Sequence, residues 1–335
     1  MRALLYCAGG GIGDSLVASV VGRALRRKYD VVDALTLPAH RATLERVPDV
    51  DEVLVDEGED PRALADALLV RSYDACVVTW ATARTARIPQ LARIATRVGQ
   101  ARRIYSFRFT KQVPIRSETG DVTSHWTDIQ LDYARAIGCD TPDRAYRFVP
   151  TAQDEEAAEA LRVTLSLSRG DENFLILNPC NAIASKRGIW PVEGWAKLAL
   201  ALQDRYGGRV LVSGSPADAP IADAIVSAAR RESVSSIAGK LGIGAFGALA
   251  QRAHGFVGIT TGSMHVAAAV GCPTVGIFPF QTDYPDRWSP LGACTTVVRP
   301  SYPCHKGDTK ETCRDYACIA QLDVTRIVAA AESVL

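Results

Sequence analysis

The sequence predicts an α/β protein built as two domains, each around a parallel sheet. Three observations carry this. Short, continuously apolar runs recur along the chain, each followed by a turn and then a helix-length stretch; unbroken apolar strands of this kind belong to parallel sheets covered by helices on both faces. The chain has 335 residues, more than a single hydrophobic core usually serves. Several strand-to-helix corners are rich in Gly, Ser, Asp and Lys, and open α/β sheets bind ligands at the carboxyl ends of their strands.

The expected strands include residues 3–8, 53–55, 75–79, 174–177, 210–213, 256–259 and 274–278. The first ends in Gly9-Gly10-Gly11-Ile12-Gly13-Asp14-Ser15, and a helix follows with Leu16, Val20, Ala24 and Leu25 on one face. The turn approaches a dinucleotide-binding one, but a G-x-G-x-x-G spacing counted from Gly9 puts Asp14 where the third glycine belongs. A carboxylate beside a helix N-terminus is either a cap or, in a cleft, a base that accepts a proton from a hydroxyl. The domain break is expected near residues 147–153, where Pro150-Thr151-Ala152 precedes the acidic helix start Asp154, Glu155, Glu156. That gives an N-terminal domain over 1–150 and a C-terminal domain over 151–320.

In the second domain, Leu177-Asn178-Pro179-Cys180-Asn181-Ala182-Ile183-Ala184-Ser185-Lys186 leads to Ile189-Trp190-Pro191. Pro191 starts an amphipathic helix carrying Trp195, Leu198 and Leu202. Lys186 in such a loop is either solvated or, after a strand end, placed to meet a phosphate. Further on, the strand 256–259 runs into Thr260-Thr261-Gly262-Ser263-Met264-His265 and an Ala-rich helix. This corner leaves backbone N–H groups unpaired at a helix N-terminus, which suits a phosphate or diphosphate; its bland reading is a buried corner with a capping Ser263.

Apolar residues make up 47% and charged residues 22% of the chain, an ordinary balance for a globular protein. A net charge of +1 gives no global pull toward nucleic acid or membrane. The first apolar run is too short for a signal peptide, and no stretch reaches the ~20 residues of a membrane span; a cytoplasmic protein is expected. The nine cysteines read as free core thiols. The exception is the group Cys304, His305, Cys313 and Cys318, which without C-x-x-C spacing is a weak metal candidate; a local structural feature or a disulfide-stapled lid are the alternatives. Between Arg84 and Arg116 lie Arg84, Arg87, Arg93, Arg97, Arg102, Arg103, Arg108, Lys111 and Arg116 without one acidic residue, interleaved with Tyr105, Phe107 and Phe109. Roughly half are expected on a solvated helix face. The rest suit an acidic ligand better than nucleic acid, because the remaining surface is not basic.

Three segments in this order resemble glycosyltransferase family 9, the bacterial lipopolysaccharide heptosyltransferases. They are the Gly-Asp turn at Gly13-Asp14, the strand-loop-Lys leading to Trp190-Pro191, and Thr260-Thr261-Gly262-Ser263-Met264-His265 before the Ala-rich helix. Val212-Ser213-Gly214-Ser215-Pro216-Ala217-Asp218 is similar to the family's Gly-x-Pro-x-Asp/Glu segment, and Ala238-Gly239-Lys240 to its Ala-Gly-Lys/Arg. There are two departures. Thr260 stands where the family has Asp, and Arg187-Gly188-Ile189 separate Lys186 from Trp190 where the family has one residue. The resemblance implies a GT-B fold, two Rossmann-like domains facing across a cleft, with the C-terminal helix (321–335) packing back onto the N-terminal domain. It implies an inverting, metal-independent transfer of a sugar, ADP-heptose being the usual donor, onto an acidic glycan or glycolipid such as lipopolysaccharide core. No cofactor is expected beyond the nucleotide sugar, and no nucleic-acid partner. Peripheral contact with the inner face of the cytoplasmic membrane would come through the acceptor lipid.

The expected roles follow from the same resemblance. Asp14 is the base and Lys186 assists departure of the diphosphate. Gly13, Asn181, Lys186, Arg187, Asp218, Thr260, Thr261, Gly262, Ser263, Met264 and His265 bind donor; Arg84, Arg87 and His125 bind acceptor. Asp218 is otherwise a surface-loop residue, and His125, which starts a helix running to Ile137-Gly138, otherwise a cap. Two further classes stay open: a non-catalytic nucleotide-sugar-binding relative, motivated by Thr260, and an NAD-dependent oxidoreductase with Asp33 as the nearest ribose-binding acid.

Overall fold

The computed structural model describes residues 1–167, 173–179, 190–280, 284–301, 313 and 317–335. The chain separates into two compact units, Met1–Val149 and Pro150–Leu335. The first holds β1 (Arg2–Cys7), β2 (Val31–Thr36), β3 (Val53–Val55), β4 (Ala75–Thr79), β5 (Thr96–Gln100) and β6 (Lys111–Val113). The second holds β7 (Phe174–Asn178), β8 (Arg209–Val212), β9 (Val234–Ser236), β10 (Gly255–Ile259), β11 (Thr274–Ile277) and β12 (Thr295–Val298). Every strand pairing is parallel. The orders are β3-β2-β1-β4-β5-β6 and β12-β11-β10-β7-β8-β9. Counted from each unit's own first strand, both are the Rossmann order 3-2-1-4-5-6.

That order places each unit's candidate corner. Where the winding reverses, the loops after the first and fourth strands diverge and leave a crevice at the carboxyl edge of the sheet. In the first unit these are the loops after β1 and β4; in the second, those after β7 and β10. The glycine turn with Asp14 follows β1, the Lys186 loop follows β7, and Thr260-Thr261 follows β10.

The central strands are apolar because both faces are covered: Leu4, Leu5, Tyr6, Val77, Val78, Ile176, Leu177 and Val257 are fully buried. In the first helical stretch, Ile12–Ala18 and Val20–Leu25, the expected stripe of Leu16, Val20, Ala24 and Leu25 is buried without remainder. In the second unit the helix Val192–Tyr206 buries Trp195, Leu198 and Leu202, with Trp190 edge-on to Trp195 at 5.0 Å between ring centres. The helix Ala152–Thr164 is closed by Thr151, whose hydroxyl accepts from the Asp154 amide while Asp154 accepts from the Thr151 amide at 2.8 Å.

The last helix, Val324–Glu332, belongs to the second unit. Its apolar stripe, Ile327 and Ala331, lies in the core of the second unit, against the helix Val192–Tyr206 and strands β11 and β12. Arg205 and Glu332 pair across that packing at 2.5 Å. The buried face is therefore used within the C-terminal unit.

Candidate functional site

In the first unit the corner after β1 is a tight cradle for one carboxylate. Gly10 has φ +73°, a region that L side chains rarely enter, and a Cβ there would collide with Asp14. Asp14 sits in the first turn of the helix Ile12–Ala18, and its Oδ2 accepts the Gly11 N–H at 2.6 Å. Gly13 is buried within that same turn. Burial lifts the Asp14 carboxyl above the usual carboxylate range, against the Gly11 N–H bond and the nearby His40 ring, both of which pull it down. The outcome is a partly buried carboxylate that holds a proton more readily than a surface aspartate.

Sequence reading missed three neighbours. His40, on the helix Pro38–Leu44 that packs against the Asp14 helix, is 5% exposed, and its Nδ1 is buried without a hydrogen-bond partner. Burial holds its pKa below the ordinary 6.5, opposed by Asp14, so the ring favours its neutral form. Trp80, directly after β4, has φ +55°, costly for a bulky residue, and packs so closely on Gly9 that a Cβ there would collide with it. Its ring lies 5.0 Å from that of Trp126, and its Nε1 is buried and unpartnered. The third is Asp56, after β3. Its carboxylate is 2% exposed and takes bonds from Tyr6 Oη, Nε and Nη2 of Arg84 and the Gly58 amide.

That network changes the reading of Arg84. Its guanidinium is committed to Asp56 and to the Glu59 carbonyl at 2.7 Å, so it holds the loop after β3. Arg97, Arg103, Arg108 and Arg116 are similarly engaged, with backbone carbonyls, Glu118, Gln90 and the trio Asp121, Asp128 and Asp132. The side chains of Arg87, Arg93, Arg102 and Lys111 make no ion pair or hydrogen bond among the described residues, and all four are exposed. His125 is the cap of the helix Trp126–Arg135: its Nδ1 accepts the Thr127 amide at 3.2 Å.

In the second unit Thr261 is the N-cap residue of the helix Gly262–Ala269, yet its hydroxyl makes no capping bond, and Oγ1 is buried without a partner among the described residues. Thr260 donates its amide to the Ile277 carbonyl at 3.0 Å, which ties the corner to β11. Gly262 and Ser263 occupy the first helical turn, partly exposed, where amides lack intrahelical acceptors. The His265 ring is buried, 6.5 Å from that of Trp288.

Two expected donor residues are placed otherwise. The Met264 side chain is fully buried against Gly276 of β11, because that face of the turn points at the sheet. Asp218 is buried and closes its own turn, accepting from the Ser215 amide at 2.8 Å and the Ser215 hydroxyl at 2.6 Å, so Oδ2 is already occupied. The similar loop at Ala238-Gly239-Lys240 meets it through Gly239 N–H to the Gly214 carbonyl at 2.9 Å. Asn181, Lys186, Arg187 and Cys304 lie outside the described residues. Among the described residues no group of His, Cys, Asp or Glu is arranged to hold a metal ion, and Cys318 is buried in the second core. Asp33 lies within β2, 1% exposed, bonded to Arg2 at 2.9 Å and to Tyr73 at 2.6 Å. It is thus committed within the strand and is not the strand-end acid that a ribose would need.

What the corners offer chemically is a protonatable carboxylate in one unit and, in the other, a helix terminus with a spare hydroxyl, fit for an anion. Over 330 residues the chain is 24% identical to lipopolysaccharide heptosyltransferase 2 of Escherichia coli (strain K12), with 90% of this chain and 89% of that protein covered. Its fold is similar to that of E. coli ADP-heptose lps heptosyltransferase II, with TM-score 0.79 and 20% identity over 100% of this chain and 98% of the other. It is also similar to E. coli heptosyltransferase WaaC with ADP-2-deoxy-2-fluoro heptose, with TM-score 0.72 and 17% identity over 99% of both chains. The two parallel-sheet units are thus those of the GT-B heptosyltransferases. The sequence profile of glycosyltransferase family 9 (heptosyltransferase) matches residues 61–317, most of the chain, and the protein belongs to that family.

Proposed function

We propose that the protein transfers heptose from ADP-heptose to a hydroxyl of an acidic glycan acceptor of the lipopolysaccharide-core type, by a single displacement that inverts the anomeric centre and uses no bound metal. The observation that carries this reading is Asp14, a carboxylate raised by burial, fixed at a helix start on the carboxyl edge of a Rossmann sheet. The names of the relatives supply donor and acceptor: one is a lipopolysaccharide heptosyltransferase, and one solved structure holds an ADP-heptose analogue.

Asp14 takes the proton of the acceptor hydroxyl as its oxygen attacks the anomeric carbon. The bond from that carbon to the diphosphate breaks, and the electron pair leaves with ADP. Charge gathering on the diphosphate is met by the amides and hydroxyls of residues 261–263, with Lys186 or Arg187 adding a cation. The neutral ring of His40 beside Asp14 leaves the carboxylate free of a permanent ion pair, which would weaken it as a base. Arg87 is the expected acceptor cation that remains unpaired among the described residues, and phosphates or sugar carboxylates suit it.

The test is transfer itself. Purified protein with ADP-heptose and a heptose-free lipopolysaccharide acceptor should release ADP and yield a product of inverted anomeric configuration by NMR, at the same rate with and without EDTA. Tight donor binding without ADP release would make the protein a non-catalytic nucleotide-sugar binder, as its Thr260 first raised. Retained configuration, or loss of activity in EDTA, would overturn the displacement described.

A further inference from the structure

We propose that the turn following β5 is a membrane anchor, with Ile104 and Phe107 entering the interface of an anionic phospholipid surface while Arg102 and Lys111 meet its headgroups. Ile104 is 97% exposed and Phe107 67% exposed. Single exposed apolar residues are ordinary on any protein; a built pair is not. The turn is closed by successive three-residue steps: Ser106 N–H to the Arg103 carbonyl at 2.9 Å, Arg108 N–H to Tyr105 at 3.1 Å and Phe109 N–H to Ser106 at 3.0 Å. Ile104 and Phe107 stand three residues apart in this turn, both open to solvent.

Their neighbours point inward and hold them there. Tyr105 Oη donates to the Ala81 carbonyl at 2.5 Å, Ser106 Oγ donates to the Gln100 carbonyl at 2.6 Å, and Phe109 is buried. The turn therefore cannot roll over to hide Ile104 and Phe107 without breaking these bonds.

The charge around them fits one occupant. Arg102 and Lys111 are exposed and unpaired among the described residues. Arg108 lies over the Phe107 ring at 4.8 Å, and Arg103 pairs with Glu118. Cations flanking a protruding aliphatic and aromatic pair are the pattern of an interfacial anchor on anionic lipid. Among the described residues no helix is long and apolar enough to cross a membrane, so attachment of this kind would be peripheral. The turn leaves β5 at the same sheet edge as the Asp14 turn leaves β1. Anchoring there would turn that edge of the N-terminal unit toward the lipid, whatever the site transfers.

The experiment is co-sedimentation of the full chain with phosphatidylcholine vesicles, with and without phosphatidylglycerol, in the absence of any glycan acceptor. The wild type should pellet with the phosphatidylglycerol vesicles, less so at higher salt, and stay in solution with phosphatidylcholine alone. The double variant I104S/F107S should lose about tenfold or more in partitioning, with an unchanged melting temperature and unchanged activity on a delipidated acceptor. A wild type that ignores phosphatidylglycerol, or a variant that pellets as well as the wild type, overturns the proposal. So does concentration-dependent dimerisation abolished by I104S/F107S, which would make the turn a contact between copies. Because neither donor nor acceptor is present, failure here leaves the transfer reaction untouched, and failure of transfer leaves the anchor standing.

Discussion

Asp14→Asn isolates the charge of the carboxylate from its architecture. The Gly11 N–H reaches Asp14 Oδ2 at 2.6 Å, and an asparagine oxygen can accept the same bond, so the turn and the helix start are kept. Losing an anion at a helix N-terminus costs about 0.3–1 kcal/mol. Burial acts the other way, because the folded pKa of Asp14 lies above its unfolded value of 3.8. The folded state then holds the proton more tightly than the unfolded state. The stability Asp14 contributes is complete below the unfolded pKa and is lost as pH rises through the folded one. At neutral pH the variant should therefore melt within about 1 kcal/mol of the wild type, on either side. Catalysis should respond quite differently. Removing a general base lowers kcat by roughly 10²–10⁴-fold, about 3–5 kcal/mol of barrier. The assay is kcat with ADP-heptose and a heptose-free lipopolysaccharide acceptor, beside donor Kd by calorimetry and a melting scan. The wild-type rate should fall on the acid side along a limb lying above the range of an ordinary aspartate. If Asp14→Asn turns over within about threefold of wild type with donor affinity intact, Asp14 is a helix cap and the base is elsewhere.

Thr261→Val removes a hydroxyl that has no internal partner, so the melting temperature should hold while ADP binding weakens about tenfold, the scale of one charge-assisted hydrogen bond; an unchanged Kd would leave the hydroxyl out of the donor site. Arg84→Ala strips the buried Asp56 of its guanidinium and should cost about 3 kcal/mol of stability. A variant that melts normally but shows a raised acceptor KM would return Arg84 to the acceptor site. His40→Asn removes a ring whose folded pKa lies below 6.5, so the wild type should lose stability as pH falls from 6.5 toward that lower value while the variant loses less. Parallel urea midpoints for both proteins across that window would show that His40 carries none of the pH dependence.

Strands with uninterrupted apolar runs were legible, since β1, β4, β7, β8, β10 and β11 are buried on both faces and say so residue by residue. Strand β2, Val-Val-Asp-Ala-Leu-Thr, is just as central but carries Asp33, and β5 carries Arg97 and Gln100. These polar residues are tolerated only because distant partners satisfy them: Arg2 and Tyr73 bond Asp33, the Arg108 carbonyl takes Arg97, and Glu118 takes Gln100. A strand whose polarity is compensated by tertiary contacts looks like a loop to any local reading. The C-terminal helix shows a related effect: its stripe announces burial without saying against which elements, and the edge formed by β11, β12 and the helix Val192–Tyr206 exists only after the sheet is ordered.

The site divides along the same line. Asp14 and Thr261 stand at strand–turn–helix corners, whose chemistry is set within a few residues: a helix start, small neighbours, a side chain in the first turn. His40 and Trp80 have no such signature. They belong to the site because β2 and β4 flank β1, which brings the chain after β2 against the Asp14 helix and the residue after β4 against Gly9. The basic run shows how far a local charge pattern can mislead. Between Arg84 and Arg116 no acid appears in sequence, yet Asp56, Glu118, Asp121, Asp128 and Asp132 arrive from outside the run and occupy Arg84, Arg103 and Arg116. Such pairs fix loops and leave little charge for a ligand, whereas an unpaired exposed cation keeps its full field for whatever approaches. The run is therefore two populations: cations that hold the loops at the sheet edge, and Arg87, Arg93, Arg102 and Lys111, which among the described residues are left to meet a phosphate, whether on a glycan or on a lipid.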